Sequence, residues 1–145
     1  MKRRAPASSH VLLQGTVCTV VMLLSTTWVA GQDAPNERTF HQSKAVVEKA
    51  LKQVQASTSG RLPTLDGFTV AGEHPLDRYQ RPYYQSTVQV SSTASGGSVV
   101  RVNTKVTAWY VDAVPGRSGY KLLTSNGRLE TDLLDQLAEQ LISMP

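Results

Sequence analysis

The longest regular pattern in the chain runs over residues 84–110, where apolar and polar side chains alternate. The first run, YQSTVQVSS, puts Tyr84, Val88 and Val90 on one side. A glycine-containing segment, TASGG, separates it from a longer alternating run, SVVRVNTKVTAWYVD. Period two is typical of a strand with one buried and one solvated face. Two such runs around a glycine-rich turn predict a β-hairpin.

The parity of the second run predicts which of its side chains face the core. The apolar side consists of Val100, Val102, Val106, Ala108 and Tyr110, together with Thr104. The opposite side carries Arg101, Asn103, Lys105, Thr107 and Trp109. We therefore expect a polar sheet face that bears an exposed tryptophan.

Two other stretches repeat apolar residues with the period of an α-helix. The first contains Phe40, Val47, Ala50, Leu51 and Val54, and the second Leu129, Leu133, Leu134, Leu137 and Leu141. Thr39 with Gln42 in a capping box, or alternatively Asn36, is the candidate cap of the first helix. TSNG before the second helix supplies turn and capping residues, so Ser125 is predicted to be a turn or cap residue and not a nucleophile. Glu130 suits the positive end of that helix.

Short strands are predicted at YKLL, which begins at Tyr120, and within residues 68–73. Two amphipathic helices need an apolar surface, and a hairpin with one apolar face provides it. The predicted fold is therefore α+β, a small antiparallel sheet of three or four strands with two amphipathic helices packed on one face. Residues 38–145 form this single domain, and residues 32–37 are a flexible start.

The first 31 residues have the layout of a signal peptide. Basic residues at positions 2–4 precede residues 11–30, which carry no charge, and Val29 and Gly31 occupy the small positions of a cleavage site after Gly31. The alternative is an uncleaved anchor, because 20 uncharged residues are just enough to span a bilayer. Both readings place the domain outside the cytoplasm, as a periplasmic or secreted protein.

Removal of this segment changes the composition on which function is judged. The chain has 145 residues and a net charge of +4, but residues 32–145 hold 12 basic residues against 11 acidic ones, a net charge of +1. This balance gives no reason to expect nucleic-acid binding. The only cysteine, Cys18, leaves with the signal peptide, so the core must stabilise the domain without disulfides. A membrane partner is expected only if the segment is not cleaved.

Two groups of residues are candidates for binding a partner. In DRYQRPYYQ, Arg78 and Arg81 alternate with Tyr79 and Tyr83, a composition typical of surfaces that bind glycans, anionic polymers or proteins. Trp109 forms the second group with Arg101 and Lys105 on the predicted polar face. In both groups a structural role is the alternative, either snorkelling arginines at a sheet edge or a tryptophan covered by a loop.

The chemistry of an enzyme is weakly represented. His41 and His74 are the only histidines after residue 31, and the chain has no Gly-x-Ser-x-Gly motif. We expect no cofactor and no metal site. The alternative function is a small hydrolase that uses His74 with a loop carboxylate.

The C-terminal 50 residues resemble a family of small secreted bacterial envelope proteins. The resemblance is carried by the Trp-Tyr strand, the Ser-Gly-Tyr turn and the Ser-Asn-Gly-Arg-Leu-Glu helix start occurring together. The layout is also similar to the helix-and-sheet domains of outer-membrane accessory lipoproteins. The lipoprotein similarity is architectural only. The family of small secreted proteins has no assigned activity, so the resemblance implies export but no catalytic residue. The predicted function is a non-enzymatic module that binds an envelope protein or a cell-wall or glycan surface, and a structural partner subunit is a further alternative.

The N-terminal pattern generates a prediction about processing. The exported protein is expected to begin at Gln32 or Gly31, because cleavage after Ala30 would place Trp28 in a pocket that takes small side chains. Intact-mass measurement of the secreted protein checks the terminus. Recovery of the full-length mass from the membrane fraction would show an anchor instead.

Overall fold

A computed structural model describes residues 35–145. The predicted signal peptide at residues 1–31 lies outside these residues. Five strands form one antiparallel sheet: β1 Glu37–Phe40, β2 Ser59–Arg61, β3 Tyr79–Ser92, β4 Ser98–Tyr110 and β5 Gly119–Thr124. The helices are α1 Lys44–Gln53 and α2 Arg128–Ser143, with short 3-10 turns at Gln55–Thr58 and Leu76–Arg78. No helix in this part of the chain is long and apolar enough for a membrane span.

The α+β class and the antiparallel pairing are confirmed, but the predicted sheet of three or four strands is wrong. The sheet has five strands. The sequence pattern did not predict β1 and β2, because segments of four and three residues are too short to show a period of two. Phe40 was assigned to the first helix, yet it ends β1 and the helix begins at Lys44. The strand predicted within residues 68–73 is reduced to one bridge between Thr69 and Ser125.

Strand β4 is the centre of the sheet. Along one edge it pairs with β3 over nearly its whole length. Along the other edge β1 pairs with residues 98–101 and β5 with residues 105–110, so two strands share one edge. Strand β2 extends the sheet beyond β3, where it pairs with residues 83–85 only.

Helices α1 and α2 pack on one face of this sheet, which confirms the parity predicted for β4. Val100, Val102, Val106 and Ala108 are fully buried. The helices cover one half of the face, in a cluster of Phe40, Val47, Ala50, Val100, Val102, Leu133, Leu134, Leu137 and Leu141. The loop before β3 covers the other half with Leu62 and Leu65. The opposite face, called the outer face below, carries the alternate residues of each strand.

A buried carboxylate closes the gap between β1 and β5 on the edge of β4. The N–H of Thr104 lies in this gap and donates to Oε1 of Glu130 at 3.3 Å. The Ser125 hydroxyl donates to Oε2 of the same carboxylate at 2.7 Å and accepts from the Gly127 N–H at 3.2 Å. Glu130 is 5% exposed. Its role is therefore to satisfy a buried backbone donor that no strand reaches.

The start of α2 gives Ser125 the role of a turn residue. Gly127 occupies the N-cap position with a φ of 91°, which is the left-handed region that glycine tolerates. The Asn126 side chain accepts from the Arg128 N–H at 3.1 Å. Ser125 lies two residues before Gly127 and donates to the Glu130 carboxylate, so its hydroxyl is engaged in structure.

Glu130→Ala is expected to lower the free energy of unfolding by about 1–3 kcal/mol, because the buried Thr104 N–H loses its acceptor. Glu130→Gln is expected to cost less, since an amide oxygen still accepts from Thr104. Glu139 lies exposed on the same helix, and Glu139→Ala is expected to change stability by less than about 0.5 kcal/mol. Urea denaturation measures all three, and equal losses for the two alanine variants would contradict the role of Glu130.

Candidate functional site

The outer face carries a group of exposed aromatic and apolar side chains at the end of the sheet where β5 pairs. Tyr120 is 67% exposed and Leu122 66%, and Tyr83 and Trp109 also lie open. The register places Tyr83 and Leu122 on either side of Thr107, and Tyr120 beside Trp109. The Trp109 and Tyr120 rings meet edge to face, with centroids 5.1 Å apart. Adjacent exposed rings of this kind are unusual unless they contact a partner.

Two arginines border this aromatic group. Arg61 and Arg81 line an open depression of about 670 Å³ together with Tyr83, Thr107 and Tyr120. Among the ion pairs formed within residues 35–145, none includes either arginine. We name Arg61, Arg81, Tyr83, Thr107, Trp109 and Tyr120 the aromatic–arginine site. It combines ring surfaces for stacking with two guanidinium groups that form no ion pair within the described part of the chain.

A β-bulge positions Arg81. Gln80 pairs with Trp109 and Tyr83 with Thr107, so Arg81 and Pro82 together lie opposite the single residue between them on β4. Arg81 has a φ of 52°, and among the described residues it is the only one other than glycine with a positive φ. Such a conformation is costly for a side chain with a Cβ, and strain of this kind clusters at functional sites.

The three candidate binding residues on β4, Arg101, Lys105 and Trp109, all lie on the outer face, but their surroundings differ. Trp109 belongs to the aromatic–arginine site. Lys105 lies one position along the same face from Thr107 and forms none of the ion pairs found within residues 35–145. The Arg101 Nε donates to the Glu37 carboxylate at 2.7 Å, further from the site. The charge of Arg101 is therefore partly compensated by β1.

The predicted Arg/Tyr segment is divided between the two faces. Arg81 and Tyr83 lie at the aromatic–arginine site, and Arg78 lies exposed in the 3-10 turn before β3. Tyr79 instead packs on the helix side, with its ring centroid 5.3 Å from that of Tyr110. Burial, with smaller contributions from Tyr110 and Glu73, raises the pKa of Tyr79. The structure therefore does not bring Tyr79 to the other predicted residues.

His74 lies in a separate cleft on the helix side. Its ring stacks on Tyr110, with centroids 4.4 Å apart, and the cleft of about 280 Å³ is also lined by Glu73, Tyr79 and Lys121. None of the ion pairs within residues 35–145 joins His74 to a carboxylate. That part of the chain also contains no group of three metal-ligating side chains.

Sequence reasoning missed three residues of this surface. Arg61 lies in a strand of three residues, which gives no periodic signal. Tyr120 and Leu122 share a parity in YKLL, but their face depends on how β5 pairs with β4. That pairing is tertiary information. With the register of β5 against Trp109 known, the alternation of β5 would have predicted that both residues lie on the outer face.

Comparison with family models, curated proteins and solved structures found no match to this chain. The resemblance of the C-terminal half to small secreted bacterial proteins remains an interpretation of the sequence. The geometry of the outer face is therefore the basis for assigning a function.

The strain at Arg81 generates a prediction about stability. Arg81→Gly is expected to leave the free energy of unfolding unchanged or raise it by up to about 1 kcal/mol, because glycine adopts a positive φ without strain. Arg81→Val is expected to lower it by about 1–3 kcal/mol, since a β-branched side chain is poorly tolerated there. Urea denaturation of both variants makes the comparison. A loss for glycine as large as that for valine would show that the bulge carries no such strain.

Proposed function

We propose that this protein is an exported, non-enzymatic binding module of the bacterial envelope, and that its aromatic–arginine site binds a carboxylated glycan. The observation that carries the proposal is the pair of arginines, Arg61 and Arg81, beside the exposed rings of Tyr83 and Tyr120. Export is supported by the charge and hydropathy pattern of residues 1–31.

The chemistry of the site matches both parts of an acidic sugar. The apolar C–H face of a sugar ring packs on phenol and indole rings, and Trp109 supplies the largest such ring. A carboxylate accepts two parallel hydrogen bonds from one guanidinium, which makes arginine its preferred partner. Because the depression is open, it suits a polymer that lies across the surface better than a small molecule that must be enclosed.

Two other functions remain as alternatives. A small hydrolase would use the cleft in which His74, Glu73 and Tyr79 come together, and this cleft is the observation that favours it. A structural partner subunit would use the outer face to bind another envelope protein. The acidic glycan is favoured over a protein partner because both arginines lie beside ring surfaces without a carboxylate in ion-pair range among the described residues.

Calorimetric titration with a mannuronate hexasaccharide and with its methyl ester tests the proposal. The ester keeps the sugar rings and removes the charge, so it is expected to bind at least about tenfold more weakly, which corresponds to 1.4 kcal/mol. Trp109→Ala and Arg81→Ala are each expected to weaken binding of the acid by about tenfold or more. Equal binding of acid and ester would contradict the role of the arginines.

Arg38→Ala is the matched control. Its guanidinium lies 2.7 Å from the Asp135 carboxylate on α2, away from the aromatic–arginine site, so binding is expected to be unchanged. Failure of the native protein to bind the hexasaccharide would overturn the proposed function. Cleavage of the hexasaccharide that His74→Ala abolishes would establish the hydrolase instead.

A further inference from the structure

The free edge of β3 is a second surface that the sheet leaves open. Strand β2 pairs only with residues 83–85, so within the described chain residues 86–92 have a strand neighbour on one side only, β4. The Pro82 carbonyl faces β2, where it accepts from the Leu62 N–H at 3.0 Å. The Thr93 N–H faces β4, where it donates to the Gly97 carbonyl. Backbone groups alternate along a strand, so those of Ser86, Val88, Val90 and Ser92 point away from the sheet.

This edge lacks two of the devices that normally keep a strand edge from pairing with another chain, namely charged side chains and proline. Residues 86–92, STVQVSS, contain no charge and no proline. Val88 and Val90 are only partly buried, although Val102 and Val100 opposite them are fully buried. The edge therefore presents both unpaired backbone groups and half-exposed apolar side chains.

A groove runs beside the same edge on the helix side. It has a volume of about 370 Å³ and is lined by Leu51, Lys52, Gln55, Thr58, Ser86 and Val88. Leu51 and Val88 make part of its wall apolar. A side chain on the helix-facing side of an added strand would enter this groove, because side chains alternate between the two faces of a sheet.

We propose that the edge of β3 binds an extended, uncharged peptide segment of a partner protein, which adds a sixth strand in line with β2. Main-chain hydrogen bonds to the outward groups hold the peptide, and an apolar side chain fills the groove. Residues 86–92 carry no charge, which matches an uncharged segment, and Lys52 is the single charged residue that lines the groove. This site is separate from the aromatic–arginine site and does not depend on the proposed function.

A second copy of this chain fits the same edge less well. In the symmetric antiparallel pairing that uses the whole edge from residue 86 to residue 92, Gln89 would lie opposite its own copy and Thr93 opposite Gln85. Ser59 of β2 already occupies the position opposite Gln85. The hairpin turn that continues from Thr93 would therefore meet β2, whereas a peptide that ends at this point would not.

Hydrogen exchange of the full protein, followed by NMR, tests the edge directly. In the free protein the amides of Val88 and Val90 are expected to exchange fast, while those of Thr87, Gln89 and Ser91 exchange slowly because they donate to β4. Slow exchange at Val88 and Val90 without added peptide, in dilute protein, would show that the edge is already covered.

A synthetic peptide with the sequence of residues 86–92, blocked at both ends, serves as the probe. It is uncharged and can pair with the edge in the antiparallel register centred on Gln89. At ten times its Kd, it is expected to slow exchange at Val88 and Val90 by about tenfold, with little change at Gln89. The control peptide is N-methylated at the two valine amides, so it lacks the donors and is expected to have no effect. No protection by the probe, or equal protection by both peptides, would overturn strand addition.

Val90→Pro tests the protein side of the same contact. The Val90 N–H points outward, so the substitution removes an edge donor and leaves the pairing with β4 in place. Slow exchange of the Val102 amide, which donates to the Asn36 carbonyl at 2.8 Å, reports that the variant is folded. Binding of the probe is expected to be lost, and retained binding would contradict the proposal. If the variant does not fold, the methylated peptide makes the same test. Analytical ultracentrifugation shows whether the protein dimerises. If it does, and the amides of Val88 and Val90 exchange slowly in the dimer, the occupant of the edge is a second copy and not a peptide of another protein. This result would overturn the proposed occupant.

Discussion

Strand β4 is hydrogen-bonded along both edges, and every other element of the domain is positioned by it. Its pairing with β3 fixes the hairpin, and β1 and β5 dock in line along the other edge. Two strands that share an edge leave an interval between them, and the Glu130 carboxylate fills it by accepting from Thr104. The start of α2 is thereby tied to the sheet by a hydrogen bond as well as by its leucines.

The alternation of β4 also links the core to the candidate site. Val102 and Val106 face the core, so Lys105, Thr107 and Trp109 must face the other side. A register shift of one residue would exchange the two sets, and burial of the valines prevents it. The bulge at Arg81 interrupts the pairing of β3 with this strand, and it lies where the arginines and aromatic rings meet.

The part of the fold that follows from local pattern could be predicted from the sequence. The long alternation around Val102 gave the hairpin and its two faces, and the leucine period gave α2. Strand β1 was missed because Phe40 falls in phase with the helix that follows it, and β2 because three residues carry no period. Glu130 fitted a helix N-terminus, but its acceptor role depends on a strand gap that only the tertiary structure creates. The alternation of β4 was enough to predict that Trp109 lies on the outer face. Arg61 and Tyr120 belong to the same site only because β2 and β5 join the sheet, and those pairings are not visible in the local sequence.

The position of β1 at the beginning of the domain has a consequence for how the chain folds. Glu37 and Arg101, which pair across β1 and β4, are 64 residues apart in sequence. Contacts between such distant residues slow folding, because a long loop must close before they form. During synthesis β1 and α1 emerge first and have no sheet to join until residues 98–101 follow. The apolar residues of β1 and α1 therefore stay without their native partners until residues 98–101 and then α2 have been synthesised.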